Sequence, residues 1–274
     1  MSEFREPLLV VAVGKKGVGK TWETNEQFRD YMIGNPSKGV KGRKVLILDV
    51  NDEFTHVKAL SLRDVLKFSA HPKIEARRIR PFREDTGRKM TMRDIQECLF
   101  HILQNYSGGL LLIEDINKYI SDMLPNDVIG AICTNRHNDL DIIMHFQSIG
   151  RVTSKIWQNL NMIRFHKNTD SVDKHRHKFE DKYEYLKIAE LIVNKKYSNG
   201  DRRFFLWVDI DNEKLRGAFT KEDVEVAIEE YISRNYRTII NPMLQQITKT
   251  GEKKYTAETA YQAVRERILR DFIV

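Results

Sequence analysis

Apolar residues along this chain fall in short dense runs, and the stretches between them carry apolar positions at helical spacing. "LLVVAV" (8–13), bounded by Pro7 and Gly14, has no polar position, which predicts a strand covered on both faces. "RKVLILDV" (43–50), "LLLIED" (110–115), "DIIMHFQS" (141–148) and "MIRFH" (162–166) repeat that signature, and the last two each follow a stretch able to form a helix. "ARRIRPF" (76–82) instead alternates Ile and Phe with Arg, as an edge strand does. A helix is expected from Lys20 to Ile33, with Gly34 as its stop and Pro36 just beyond. In "TMRDIQECLFHILQNYSGG", Ile95, Cys98, Leu99, Ile102, Leu103 and Tyr106 share one helix face, Thr91 and Asp94 form a capping box, and Gly108 and Gly109 end the helix. Strand and helix thus alternate, which predicts a wound parallel sheet.

The pattern changes near Lys167. A polar, basic segment, "HKNTDSVDKHRHKFEDKYE", leads to a helix, an aromatic strand pair ("RRFFLWVDID" and "KLRGAFT") and two more helices. We therefore expect a core over 1–170 and a helix/strand extension over 171–274, either a separate domain or an elaboration of the same sheet.

Composition narrows the function classes. With 41% hydrophobic and 31% charged residues, a folded globular chain is expected. The net charge of +7 favours an acidic polymer as partner, nucleic acid first and anionic membrane second. The two cysteines, Cys98 and Cys133, lie far apart, which suits a reducing, cytoplasmic setting without structural disulfides. "MSEFREPLLVVAVG" lacks the apolar core and cleavage site of a secretory signal, and no apolar stretch approaches the ~20 residues of a membrane span.

The turn after the first strand carries the chemistry. Gly14, Lys15, Lys16, Gly17, Val18, Gly19, Lys20 and Thr21 match G-x-x-x-x-G-K-[ST], the Walker A pattern, in its strand–loop–helix context. Glycines let backbone N–H groups close on phosphate, and the helix that follows adds the positive end of its dipole. Lys20 is expected to reach the β- and γ-phosphates of ATP and Thr21 to ligate Mg2+. A carboxylate at another strand end should share the metal. "LLLIED" offers Glu114 as that second metal residue and Asp115 to orient water, with the two roles open to exchange. Asp49, Asp52 and Glu53 in "LDVNDEF" either contact the metal or DNA-engaging loops, or form a surface turn. Within "DIIMHFQS" the polar positions are His145 and Gln147, read as the exceptions to burial, and Gln147 is placed to sense the γ-phosphate. Arg136 and Arg151 flank that strand and are candidates for an arginine finger acting on a neighbouring subunit. His175 and His177 lack partners at ligand spacing and read as a solvated basic loop. "NKYI" (117–120) lacks the Asp of a guanine-specificity motif.

Together, "GKKGVGKT", "ILDVNDEF", "LLLIED", "NRHNDLDIIMHFQSIGRV" and "NMIRFHKNTD" resemble the FtsK–HerA superfamily of P-loop DNA-translocating ATPases, and within it the viral and phage genome-packaging ATPases. The resemblance spans 8–170. It implies an α/β P-loop NTPase of the additional-strand (RecA/FtsK-like) class, with a mostly parallel wound sheet and helices on both faces. It further implies ATP hydrolysis with Mg2+ in a pentameric or hexameric homo-oligomeric ring around double-stranded DNA. A portal or capsid protein would be a further partner, and host cytoplasm the location of a phage-encoded chain. The order Glu114–Asp115 departs from the family, which usually carries Asp before Glu. The zonula occludens toxin family, an assembly or secretion ATPase sharing this core, and a non-motor P-loop kinase or switch are the competing classes.

Overall fold

A computed structural model describes residues 6–115, 130–132, 134–179 and 182–273, with the side chains of 135 and 136 outside that description. The "NKYI" segment and Cys133 lie outside the described residues. Each sequence run forms its strand: β1 (Leu9–Val13), then β4 (Lys44–Leu48), β5 (Ala76–Ile79), β6 (Gly109–Ile113), β7 (Asp141–Phe146) and β8 (Met162–His166). A small hairpin, β2 (Gly34–Asn35) and β3 (Val40–Lys41), follows helix α1 (Lys20–Ile33). The other helices are α2 (Val65–Ala70), α3 (Met92–Asn105), α4 (Ser154–Trp157), α5 (Tyr183–Ser198), α6 (Lys221–Arg234), α7 (Tyr236–Leu244) and α8 (Ala257–Phe272). Strands β9 (Phe205–Asp209) and β10 (Lys214–Gly217) complete one sheet, ordered β10-β9-β8-β1-β7-β6-β4-β5.

Pairing is parallel from β8 to β5, and β9 and β10 join antiparallel. Strand β7 stands between the P-loop strand β1 and the carboxylate-bearing β6, the inserted position that the additional-strand class implies. Both faces are covered, so side-chain alternation splits each strand between two cores. Leu46, Leu48, Leu111 and Ile113 face the large core with α3, α5, α6 and α8, whereas Val45, Ile47, Leu110 and Leu112 face Phe28 of α1. The α3 capping box forms as the spacing requires, and Cys98 is buried, its thiol pushed up to about 12 by that burial. Beyond β10 there are three helices where the pattern predicted two, because Asn235 ends α6 and a new helix begins at once.

Asp49 corrects an expectation. It is fully buried, accepts from the N–H groups of Glu53 (2.9 Å) and Phe54 (3.0 Å), and pairs with Arg78 at 2.7 Å. It therefore folds the turn after β4 and does not approach the cleft. Asp52 likewise turns to Arg78, at 2.5 Å. Removing Arg78 would leave a buried carboxylate without its cation. Arg78→Ala should cost about 3–5 kcal/mol in urea unfolding; a loss below ~1 kcal/mol would show that the turn holds Asp49 without it.

Candidate functional site

The glycine-rich loop is tied down where it leaves β1. The N–H of Gly14 donates to the Phe146 carbonyl (3.2 Å), and that of Lys15 donates to the Lys167 carbonyl (2.8 Å). A Cβ on Gly14 would stand 2.7 Å from the Cβ of His166, so only glycine permits this approach. Gly19 caps α1 in the left-handed region (φ 88°) and offers no side-chain acceptor to the first-turn N–H groups. That leaves the helix N-terminus facing the cleft, the arrangement that binds anions. Lys20 Nζ donates to the carbonyls of Gly14 (2.5 Å) and Lys15 (3.1 Å), and burial pushes its ammonium down to about 8.

Beneath the first turns of α1 lies a polar layer. Ala12 of β1 pairs in register with His145 of β7 and Arg164 of β8, and the small alanine leaves room for both. Arg164 is fully buried. It donates to the Lys20 carbonyl (2.9 Å), to Thr24 Oγ1 (2.6 Å) and to Gln27 Oε1 (2.8 Å). Thr24 also meets His145 Nε2 at 2.9 Å. Burial lowers the guanidinium to about 9, still a cation at neutral pH, and holds His145 and His166 well below the usual imidazole range and neutral. His145 is thus not an exception to burial in its strand. It belongs to the support of α1.

The acidic end comes from adjacent strands. Glu114 follows β6 and is buried. Asp115, in the turn beyond it with a positive φ of 44°, accepts from Asn51 Nδ2 at 3.0 Å and from Gln147 Nε2 at 3.4 Å. These residues share one cleft of about 490 Å³ with Lys16, Gly17, Gly19, Lys20, Thr21, Trp22, Glu53, His145 and Arg203, a volume in the range of small-ligand sites. Cation, helix N-terminus, hydroxyl and carboxylates around one cavity fit a magnesium-bound nucleoside phosphate.

The remaining candidates lie elsewhere. Arg151 is exposed, in the 3-10 turn Ile149–Arg151 after β7 and outside the cleft lining. The backbone of Arg136 lies in the 3-10 turn Asn135–Asn138. His175 faces Asp170 at 2.8 Å, and His177 is exposed. A second cavity, about 450 Å³, holds Lys187, which pairs with Asp173 and with Glu190 at 2.6 Å each. Asn51, Trp22, Arg164 and Arg203 escaped the sequence reading. Arg164 alone carried a local signal, a cation in the middle of a buried strand.

No protein-family profile matches the chain, and no curated protein matches it. Solved structures do match. The genome packaging NTPase B204 from Sulfolobus turreted icosahedral virus 2, in complex with AMPPCP, aligns at 17% identity with a TM-score of 0.50 over 77% of this chain and 98% of that one. The same protein in complex with sulfate aligns at 15% identity and TM-score 0.51 over 78% and 98%. This chain has the P-loop NTPase fold.

Burial makes Lys20 a cost in the folded chain. Its folded value of about 8 lies below the unfolded 10.5, so the penalty is complete below pH 8 and disappears as pH rises toward 10.5. Lys20→Met should be more stable than the wild type at neutral pH, and the gap should close between those values. A gap that persists to pH 10.5 in urea titrations would show that charge is not its source.

Proposed function

We propose that this chain is an ATP-hydrolysing motor subunit that moves double-stranded DNA through a pentameric or hexameric ring, as a viral or phage genome-packaging ATPase would. The carrying observation is the facing of Lys20 and an oriented Asp115 across one cleft at the carboxyl edge of the parallel sheet. ATP and Mg2+ would supply the phosphoanhydride bond and the metal charge. The 14–21 loop holds phosphate through its N–H groups, with Lys20 neutralising the charge that develops in the transition state. Thr21 and Glu114 hold the metal. Asp115 orients the attacking water, and Gln147, bonded to it, reports whether the terminal phosphate is intact. The net charge of +7 suits DNA phosphates. In this reading the cytoplasm is the site of action, a portal or capsid protein docks the ring, and 171–274 elaborates the core domain, since β9 pairs with β8.

Among the described residues no helix is long and apolar enough to cross a membrane. Turnover stimulated by duplex DNA is expected. DNA-independent turnover with transfer to a small acceptor would instead indicate the kinase class. Lys20→Ala should abolish turnover. Asp115→Asn should keep nucleotide binding and lose hydrolysis, and Glu114→Gln should weaken the Mg2+ dependence of binding. The opposite assignment of the last two phenotypes would exchange the roles.

Arg151 stands exposed outside its own cleft, which suits a finger acting in trans, with Arg136 the other candidate. The rate per subunit should then rise with protein concentration. Arg151→Ala should cut it by ~10³-fold or more, while mixing that variant with Lys20→Ala restores part of the activity. Mixed rings of confirmed composition that stay inactive would remove Arg151 from the role.

A further inference from the structure

The loop joining α5 to β9 (199–204) reaches the phosphate loop from the C-terminal elaboration. Phe204 is buried and anchors it. Arg203 lines the cleft beside Lys16, Gly17, Gly19 and Trp22. Its side chain lies so close to α1 that a Cβ on Gly19 would be 3.3 Å from its Cγ. The guanidinium sits 5.4 Å from the Trp22 ring centroid, and that indole is 51% exposed at the cleft wall. A second tie runs alongside, with Arg202 and Lys15 both on the Tyr197 ring, at 4.6 Å and 4.4 Å. Among the described residues the Arg203 guanidinium forms no ion pair.

The charges in the cleft are segregated. Glu114 and Asp115 follow β6, whereas Arg203 stands against Gly19 and Trp22 at the first turn of α1. The carboxylates mark the end where a terminal phosphate and metal would lie. Arg203 marks the opposite flank, where the phosphate loop passes into the helix and the chain of phosphates leads toward the nucleoside.

We propose that Arg203 is a nucleotide-binding residue acting in cis, closing on the phosphate nearest the nucleoside while its stem stays against Gly19. A guanidinium fork matches phosphate oxygens in a way an ammonium does not. The consequence is a direct link between nucleotide occupancy and the C-terminal elaboration, through a loop only a few residues long. The inference rests on the reading of the cleft as an ATP site.

The test is calorimetric binding of Mg2+ with AMPPNP, and separately with ADP, to the full chain. Arg203→Ala should weaken both nucleotides by about 10-fold or more, the range for a lost charge-assisted hydrogen bond. Arg203→Lys should recover part of the loss. The size of the effect should not change on dilution, because the group acts within its own subunit. Unfolding of Arg203→Ala at the wild-type urea concentration would exclude a merely structural origin. If Arg203→Ala binds both nucleotides as the wild type does while Lys20→Ala loses them, the inference fails and the ATP site stands. A loss confined to AMPPNP would put Arg203 at the terminal phosphate and overturn its placement. No binding by the wild type would end both readings.

Discussion

The guanidinium of Arg164 under the first turns of α1 is the interaction on which the cleft depends. It is wholly buried, and its hydrogen bonds go to neutral oxygens: a main-chain carbonyl, a hydroxyl and an amide. Such an arrangement satisfies the two terminal nitrogens, leaves Nε without an acceptor among the described residues and keeps a net charge in the interior, which is costly. What it supports is position. The acceptor carbonyl belongs to Lys20, so the cation in the sheet fixes the turn of helix from which the phosphate-loop lysine extends. Lys20 itself is pushed down to about 8 by burial, so a second cation is held above the first against its hydration. Both costs would fall with an anion in the cleft. Folding stability would thereby be exchanged for affinity, because a ligand that binds the folded state alone offsets its electrostatic penalty.

The parallel sheet then determines what can meet that anion. Strands β1, β4, β6, β7 and β8 all end at the same edge, so the residues following them converge without any long-range design of loops. Asp115 follows β6 and Gln147 follows β7, and these strands are paired neighbours. Their side chains meet at 3.4 Å as a result. Asn51, beyond β4 on the other side, completes the hold on the carboxylate. A residue oriented from both flanks is suited to aiming a water. The buried, adjacent Glu114 is suited to a fixed charge.

The strands were legible because full burial on both faces writes continuous apolar runs, and the loop was legible because phosphate contact demands glycine at set spacing. Other features had no local signature. Thr24 lies 140 residues from Arg164 in the chain, so nothing near either residue announces their bond. Imidazole's polarity marks His145 as a break in burial, yet it is buried beside Ala12 in register and meets Thr24 of α1. Asp49 looked like one of a surface cluster, and only the pairing of β4 with β5 brings Arg78 to neutralise it. Arg203 precedes an aromatic strand with no motif around it. Its relevance comes from the antiparallel return of β9 beside β8, which sequence periodicity does not specify.

Sheet edges add a last constraint on any assembly. At one end Ala59 bridges to Arg78 of β5, and at the other Ile273 bridges to Leu215 of β10. Both outer strands are thus partly occupied by the chain's own segments, which disfavours association by adding strands across subunits. In the ring proposed above, contacts between copies would instead use helices and the turns at the carboxyl edge, where Arg151 is exposed. If Arg151 acts in trans as proposed, one subunit's turn after β7 would face its neighbour's cleft, while the neighbour's own Arg203 stands at the helix flank of the same cleft. An arginine from outside and an arginine from within would then bracket one phosphate chain from opposite ends, so that occupancy is read by the subunit's own C-terminal elaboration and by the adjoining subunit at once.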